Sequence, residues 1–414
     1  MKNPFKLLVG LALTVLIASC DPKDEPVTPK PDDEIPGKVT GAVTPIGTVE
    51  GTAITANIGP AGGTIQSADE SIRVTIPAGA LSSEQTISVQ PLSNQCPAGT
   101  GQAFRLLPHG QIFAKPVTVS FKYDETNVNG SFPQALSIAY QNDKGVWQSP
   151  SFKSLDTTAR SVSVQTTHFS DWGLFQKMYI YPGNSFLNPG GNLLLVAFQI
   201  RESEIVEGDY FVPLPERIPS KYIEKWQLRG EGVLKPDQTE AQYDAPSSIP
   251  SVNPAAVTLF LNQTVKIDGV IFKDIRLVCN IFTAPEGVSV QLDGGGWRTY
   301  AGGANITGVR NVIQGMDGKE SLTLHWKGAA TGNFYWTKGI DVAFNLNKGK
   351  LVYQHIYGKN LAVSGGSLKV DFSDKAWVMG TFTVEPAGWI DTAPSPLQIG
   401  TTAVKGVFRV KQVN

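Results

Sequence analysis

The sequence predicts an all-β chain: three tandem β-sandwich or barrel-like domains behind a leader and a disordered tether. Three observations predict it. Apolar and polar residues alternate with period two, most clearly at Val117, Val119, Phe121 and Tyr123 against Thr118, Ser120 and Lys122. Gly 42 and Pro 28 in 414 residues suit short strands joined by turns. Long amphipathic helical periodicity is absent throughout. A chain of 414 residues also exceeds one ordinary domain.

An apolar fraction of 41% is enough for packed cores. Lys+Arg 35 against Asp+Glu 36 leaves a net charge of -1 with no basic run, which argues against a nucleic-acid partner.

Lys2 and Lys6 precede an apolar run, Leu7 to Ile17, that is shorter than the roughly 20 residues of a spanning helix and fits a signal-peptide core. Ile17-Ala18-Ser19-Cys20 resembles the bacterial lipobox. That resemblance implies a lipoprotein signal peptide over 1–19, acylation of Cys20, and the membrane as a partner through it; the alternative is an ordinary secretory peptide with a chance cysteine. Residues 20–48 read as an acidic, Pro-rich tether, with Pro22, Pro26, Pro29, Pro31, Pro36 and Pro45 among Asp24, Glu25, Asp32, Asp33 and Glu34. Acidic residues directly after Cys20 resemble the surface-export signal of some Gram-negative lipoproteins, although Asp in that place resembles inner-membrane retention in enteric bacteria. The expected location is the cell outer membrane, lipid-anchored and surface-exposed.

The first domain is expected over 49–176. Gly62-Gly63 opens a turn. Ile72, Val74 and Ile76 then alternate with Arg73 and Thr75, and Pro77 ends the strand. This stretch, closed by Ile76-Pro77-Ala78-Gly79-Ala80-Leu81, resembles the ZU-five domain, the β-sandwich of zonula occludens proteins, netrin receptors and ankyrins. Phe104 to Pro116, with Pro108, Gly110 and Phe113-Ala114-Lys115-Pro116, and the closing His168-Phe169-Ser170-Asp171-Trp172 resemble the same family in the same order.

The second domain is expected over 177–285. An apolar run from Leu193 to Phe198, a strand carrying Trp226 and Leu228, Tyr243-Asp244-Ala245-Pro246 and the Pro254-led run to Leu259 resemble bacterial immunoglobulin-like modules. No cysteine pair staples its sheets, so an apolar core must hold them. Cys96 and Cys279 fall in different predicted domains; a bridge between them would need close approach, to which nothing in the sequence points. The third domain, over 286–414, alternates at Leu322, Leu324 and Trp326, at Ile340, Val342 and Phe344, and at Leu368, Val370 and Phe372; it reads as an antiparallel sandwich or open barrel of unknown family.

Chemistry is sparse. His109, His168, His325 and His355 have no metal-ligand spacing, and no phosphate-cradling loop or Gly-x-Ser-x-Gly elbow occurs, so no cofactor or metal is expected. Asp124 to Gly130 is a poor calcium loop, because Val128 stands where an oxygen ligand belongs. His168-Phe169-Ser170 resembles the sequence at which some ZU-five relatives cleave themselves between Phe and Ser, which would make Ser170 the nucleophile and His168 its base, with Asp171 a candidate to orient the imidazole. The simpler reading puts Phe169 in the core. Among the third domain's rings, Trp297 and Trp389 are the better candidates for a glycan platform, because they fall in Gly- or Pro-rich stretches read as loops; core packing is the bland alternative. The expected function is a non-catalytic interaction, adhesion or scaffold role in the cell envelope, with an envelope or host protein or a glycan as partner. Glycan binding through the third domain and autoproteolysis are the alternatives.

Overall fold

The structure, a computed structural model, describes residues 40–201, 205–206, 208–262, 264–267 and 270–413. The leader, Cys20 and most of the expected tether lie outside them. Among the described residues the regular structure is strand, apart from the single-turn 3-10 helices Pro133–Ala135 and Ser220–Tyr222. The all-β expectation holds.

The first domain packs an eight-stranded sheet on a five-stranded one. Ile72–Ile76 alternates buried and exposed along its length, as its Ile/Val and Arg/Thr pattern requires. Its buried face joins Phe104, Leu106, Val119, Phe121, Phe169 and Trp172 between the sheets. The Gly62 turn is needed where it stands: φ is +77°, and a Cβ there would sit 2.5 Å from the Ile76 carbonyl oxygen.

Two segments fall elsewhere than the sequence suggested. Residues 40–48, expected in the tether, lie against the first domain. Ala42 is buried. Its N–H donates to the Val212 carbonyl at 2.8 Å, and the Trp147 indole N–H donates to the Thr44 hydroxyl at 2.7 Å. The physical reason is composition: the charged residues of the tether end before this stretch, and none occurs from Thr40 to Thr48. Asp209–Phe211, expected in the second domain, pairs with Trp147–Pro150 and so extends the first domain's larger sheet. Tyr210 and Val212 then cover Trp147, Phe175 and Ala139, apolar side chains outside the main core of the sandwich. Covering them removes apolar surface from water, at roughly 25 cal/mol per Å².

The second domain is a sandwich of two sheets. One contains Met178–Tyr181, Asn192–Gln199, Glu240–Asp244 and Val233–Asp237; the other contains Asn184–Leu187, Arg276–Thr283, Ala255–Leu261 and Ile223–Arg229. Trp226, Tyr243, Leu259 and Cys279 lie between them. It follows the first domain through Lys177, whose backbone N–H donates to Ala135 and whose carbonyl accepts from Ile200, both at 2.8 Å.

The third domain closes on itself. Gly287–Leu292, Trp297–Asn305, Arg310–Asp317, Glu320–Lys327, Val342–Lys348, Leu351–Gln354, Trp377–Asp391 and Gln398–Gln412 pair in succession, and Gln398–Gln412 pairs back onto Gly287–Leu292. A ring of this many strands is just wide enough for side chains to fill. Trp326, Phe344, Phe382 and Phe408 do so, each at most 1% exposed. Ser367–Ser373 and Gly332–Tyr335 extend the sheet outside the ring.

Candidate functional site

The structure brings His168, Phe169 and Ser170 to the end of one strand and the start of the next, Ser161–His168 and Asp171–Gln176. Phe169 is a core residue, 1% exposed, edge-on to Phe113 with ring centroids 4.7 Å apart. Its carbonyl accepts from the Gly110 N–H at 3.3 Å. The Ser170 hydroxyl is buried and donates to the Gln141 carbonyl. The His168 ring packs beside Tyr140 and Trp172, with centroids at 4.6 and 5.8 Å, and those two rings also touch each other, 5.0 Å apart. Burial pushes its pKa below the ordinary imidazole value, against the opposing pull of a hydrogen bond to the Phe169 backbone. Asp171 does not orient the imidazole: both its carboxylate oxygens accept from the Arg105 guanidinium at 2.8 Å. The three residues are adjacent, but nucleophile and orienter are both engaged elsewhere.

Trp297 and Trp389 lie in strands, not loops. Trp297 opens Trp297–Asn305 directly after the Gly294–Gly296 turn and packs against Ile249, Ala284 and Val407. Trp389 lies in Trp377–Asp391, opposite Gly400, where an added Cβ would meet its ring at 2.4 Å. Its indole N–H donates to Thr401 at 3.3 Å. Both rings are half-buried. Trp326 and Trp336 are core.

Cys96 and Cys279 are free thiols in separate cores. Burial raises both, Cys279 to about 12, so neither is a ready nucleophile. Among the described residues, no group of three or more His, Cys, Asp or Glu is placed to hold a metal.

A site the sequence did not disclose lies where the three domains meet. It is a cleft of about 400 Å³. The first domain contributes Asp124, Glu125 and Arg160; the second contributes Asn184, Asn280 and Phe282; the third contributes Asn333, Lys369 and Asp371. The Asp124 turn is set by its own side chain, whose Oδ1 accepts from the Thr126 N–H at 2.8 Å. Lys369 Nζ pairs with Asp371 Oδ1 at 2.8 Å and reaches Glu125 at 3.6 Å, linking the third domain to the first. The Asp371 side chain is 9% exposed. Burial raises its pKa even with Lys369 beside it. Burial pulls Lys369 down, but the hydrogen bonds and charges of Asp371 and Glu125 together outweigh that, and the net is upward. Two of the lining residues carry an acceptor shut off from solvent, Asn184 Oδ1 and Asp371 Oδ2, and neither has a hydrogen-bond partner among the described residues. Phe282 lies ring over ring with Phe186, centroids 4.5 Å apart and 7° from parallel. These residues stretch from 124 to 371 with no common spacing, so no motif could have announced them.

No family model matches this chain, and no curated protein matches it. Among solved structures, it is similar to a DUF4784 family protein from Bacteroides caccae at 8% identity and a TM-score of 0.13, over 54% of this chain and 69% of that one. A likeness at that score carries no argument.

Proposed function

We propose that this chain is a lipid-anchored cell-envelope protein with a non-catalytic binding or scaffold role. In this reading its first domain is of ZU-five type and its second is immunoglobulin-like. The anchor is Cys20, and the outer membrane is the site of display.

The observation that supports the reading best is the strand the second domain lends to the first. Asp209–Phe211 is hydrogen-bonded into the first domain's larger sheet. Backbone pairing between successive domains suits a protein that presents a fixed surface beyond its anchor. Relative motion between domains is the default unless their interface is large and apolar.

The test is fractionation of cells expressing the wild-type chain or Cys20→Ser. The wild type should stay with membranes through a carbonate wash, and whole-cell protease should reach it. Cys20→Ser should be released. A Cys20→Ser protein that still sediments with membranes would remove Cys20 as the anchor.

A further inference from the structure

A separate groove, of about 590 Å³, lies on the outer face of the first domain's smaller sheet. Its volume falls within the range of small-molecule sites. Thr118, Ser154, Ser163 and Gln165 form its floor. Thr118 stands opposite Gln165, and Ser163 opposite Ser154, across three neighbouring strands. Val117, Val119, Val162 and Val164 alternate with them and fill the core, so the polar set faces out. The wall is the link from Trp147–Pro150 to Lys153–Asp156, and the lent strand fixes it. Pro150 pairs with Asp209, and the Ser151 N–H donates to the Gly208 carbonyl at 3.1 Å. Phe152 stands on this wall, 83% exposed, so its ring faces are open to a ligand.

The lining is polar but almost without available charge. Lys153 Nζ donates to the Gln134 carbonyl at 2.7 Å and to the Leu136 carbonyl. An Asp209 carboxylate oxygen accepts from the Tyr140 hydroxyl at 2.6 Å. An anion would therefore meet no uncommitted cation in the lining, and a divalent cation would meet at most one carboxylate. The side chains of Thr118, Ser151, Ser154 and Gln165 make no hydrogen bond among the described residues, and none of them is buried. Each can both donate and accept. Hydroxyl groups on a ligand match that set, and Phe152 offers a face for the C–H side of a sugar ring. An extended peptide is the competitor, because Lys153–Asp156 is an edge strand. That edge is only four residues long and carries Lys153 and Asp156, which guard against strand addition.

We infer that this groove binds a neutral saccharide, stacked on Phe152 and hydrogen-bonded by Thr118, Ser151, Ser154 and Gln165. The inference gives the binding role proposed above a ligand class. It does not depend on Cys20: release of the protein from membranes would leave it standing, and failure to bind a sugar would leave the anchor standing.

The experiment is saturation-transfer NMR, followed by titration calorimetry, on the whole purified chain. The probes are glucose, galactose, mannose, N-acetylglucosamine, maltose and cellobiose. Calcium chloride, inorganic phosphate and an alternating Thr/Val peptide are the competing classes. We expect saturable binding of at least one sugar. Phe152→Ala removes the platform, and Ser154→Trp fills the floor from an exposed position; each should weaken that binding roughly tenfold or more. Tyr335→Ala, which removes an exposed ring from the third domain, should leave it unchanged. Thermal melting shows whether each variant is folded, and if Ser154→Trp is not, Phe152→Ala alone decides. Failure of every sugar, sugar binding that the folded groove variants leave unchanged, equal loss in Tyr335→Ala, or binding of calcium, phosphate or the peptide in place of a sugar would each overturn the inference.

Discussion

The Tyr140 hydroxyl donates to an Asp209 carboxylate oxygen at 2.6 Å, across the boundary between the first domain and the strand the second lends it. A hydrogen bond to a charged acceptor contributes about 1.5–3 kcal/mol. Tyr140→Phe and Asp209→Asn should each destabilise the chain by an amount of that order. Their double-mutant cycle should show a coupling energy of at least about 0.5 kcal/mol. Chemical denaturation of the four proteins measures it, and strictly additive losses would mean that the contact does not hold the strand.

The lent strand bears on how the first domain behaves alone. A fragment of residues 49–176 lacks Tyr210 and Val212, and it also lacks Ala42 and the Thr44 hydroxyl that accepts from Trp147. It should fold with a lower melting temperature than a fragment of residues 40–214. It should also bind a hydrophobic dye more strongly, since Trp147 and Phe175 lose their cover. Equal melting temperatures and equal dye binding would show that the borrowed strand contributes little.

Ser170 gives a prediction about covalent integrity. Its hydroxyl proton is committed to Gln141, and Asp171 is held by Arg105, so attack on the Phe169 carbonyl lacks a free nucleophile. Denaturing mass analysis of purified protein should give one species, unchanged in Ser170→Ala. Two pieces meeting at Phe169 and Ser170, restored to one by that substitution, would reinstate self-cleavage. Ser170→Ala should still cost stability, about 0.5–1.5 kcal/mol, through the lost bond to Gln141.

His168 should make stability depend on pH. Burial holds its folded pKa below the unfolded value, about 6.5, so the unfolded chain binds the proton more tightly. Stability should therefore fall as pH drops through about 6.5 and on toward the lower folded value. His168→Phe keeps a ring against Tyr140 and Trp172 but cannot titrate. Urea denaturation of both proteins at several pH values should show the slope in this window reduced in the variant. An unchanged slope would assign it to other groups.

Strands whose two faces differ could be read directly from the chain. Ile72–Ile76 and the run from Val117 to Phe121 alternate in burial as they alternate in polarity. Short or contextual features could not. Asp209–Phe211 is a three-residue strand, too brief for period two to identify its partner sheet. Trp297 and Trp389 border turn-like residues, yet pairing carries the strands through them, and Pro386 in the same strand as Trp389 falls at a register shift where a missing donor is tolerated. The cleft was hidden for another reason. Asn184, Arg160 and Asp371 are ordinary surface-type residues, and only the packing of three domains withdraws two of their acceptors from water.

The pairing of Gln398–Gln412 with Gly287–Leu292 joins the last strand in chain order to the first strand of its domain. The ring is therefore sealed only once Gln398–Gln412 has been synthesised, and until then its first strand waits with one edge open. A premature stop anywhere in the third domain would leave unsealed sheet rather than a smaller barrel, exposing aromatic side chains and unpaired backbone to proteases and to other chains. Truncations that remove Gln398–Gln412 should thus resemble complete loss of the domain.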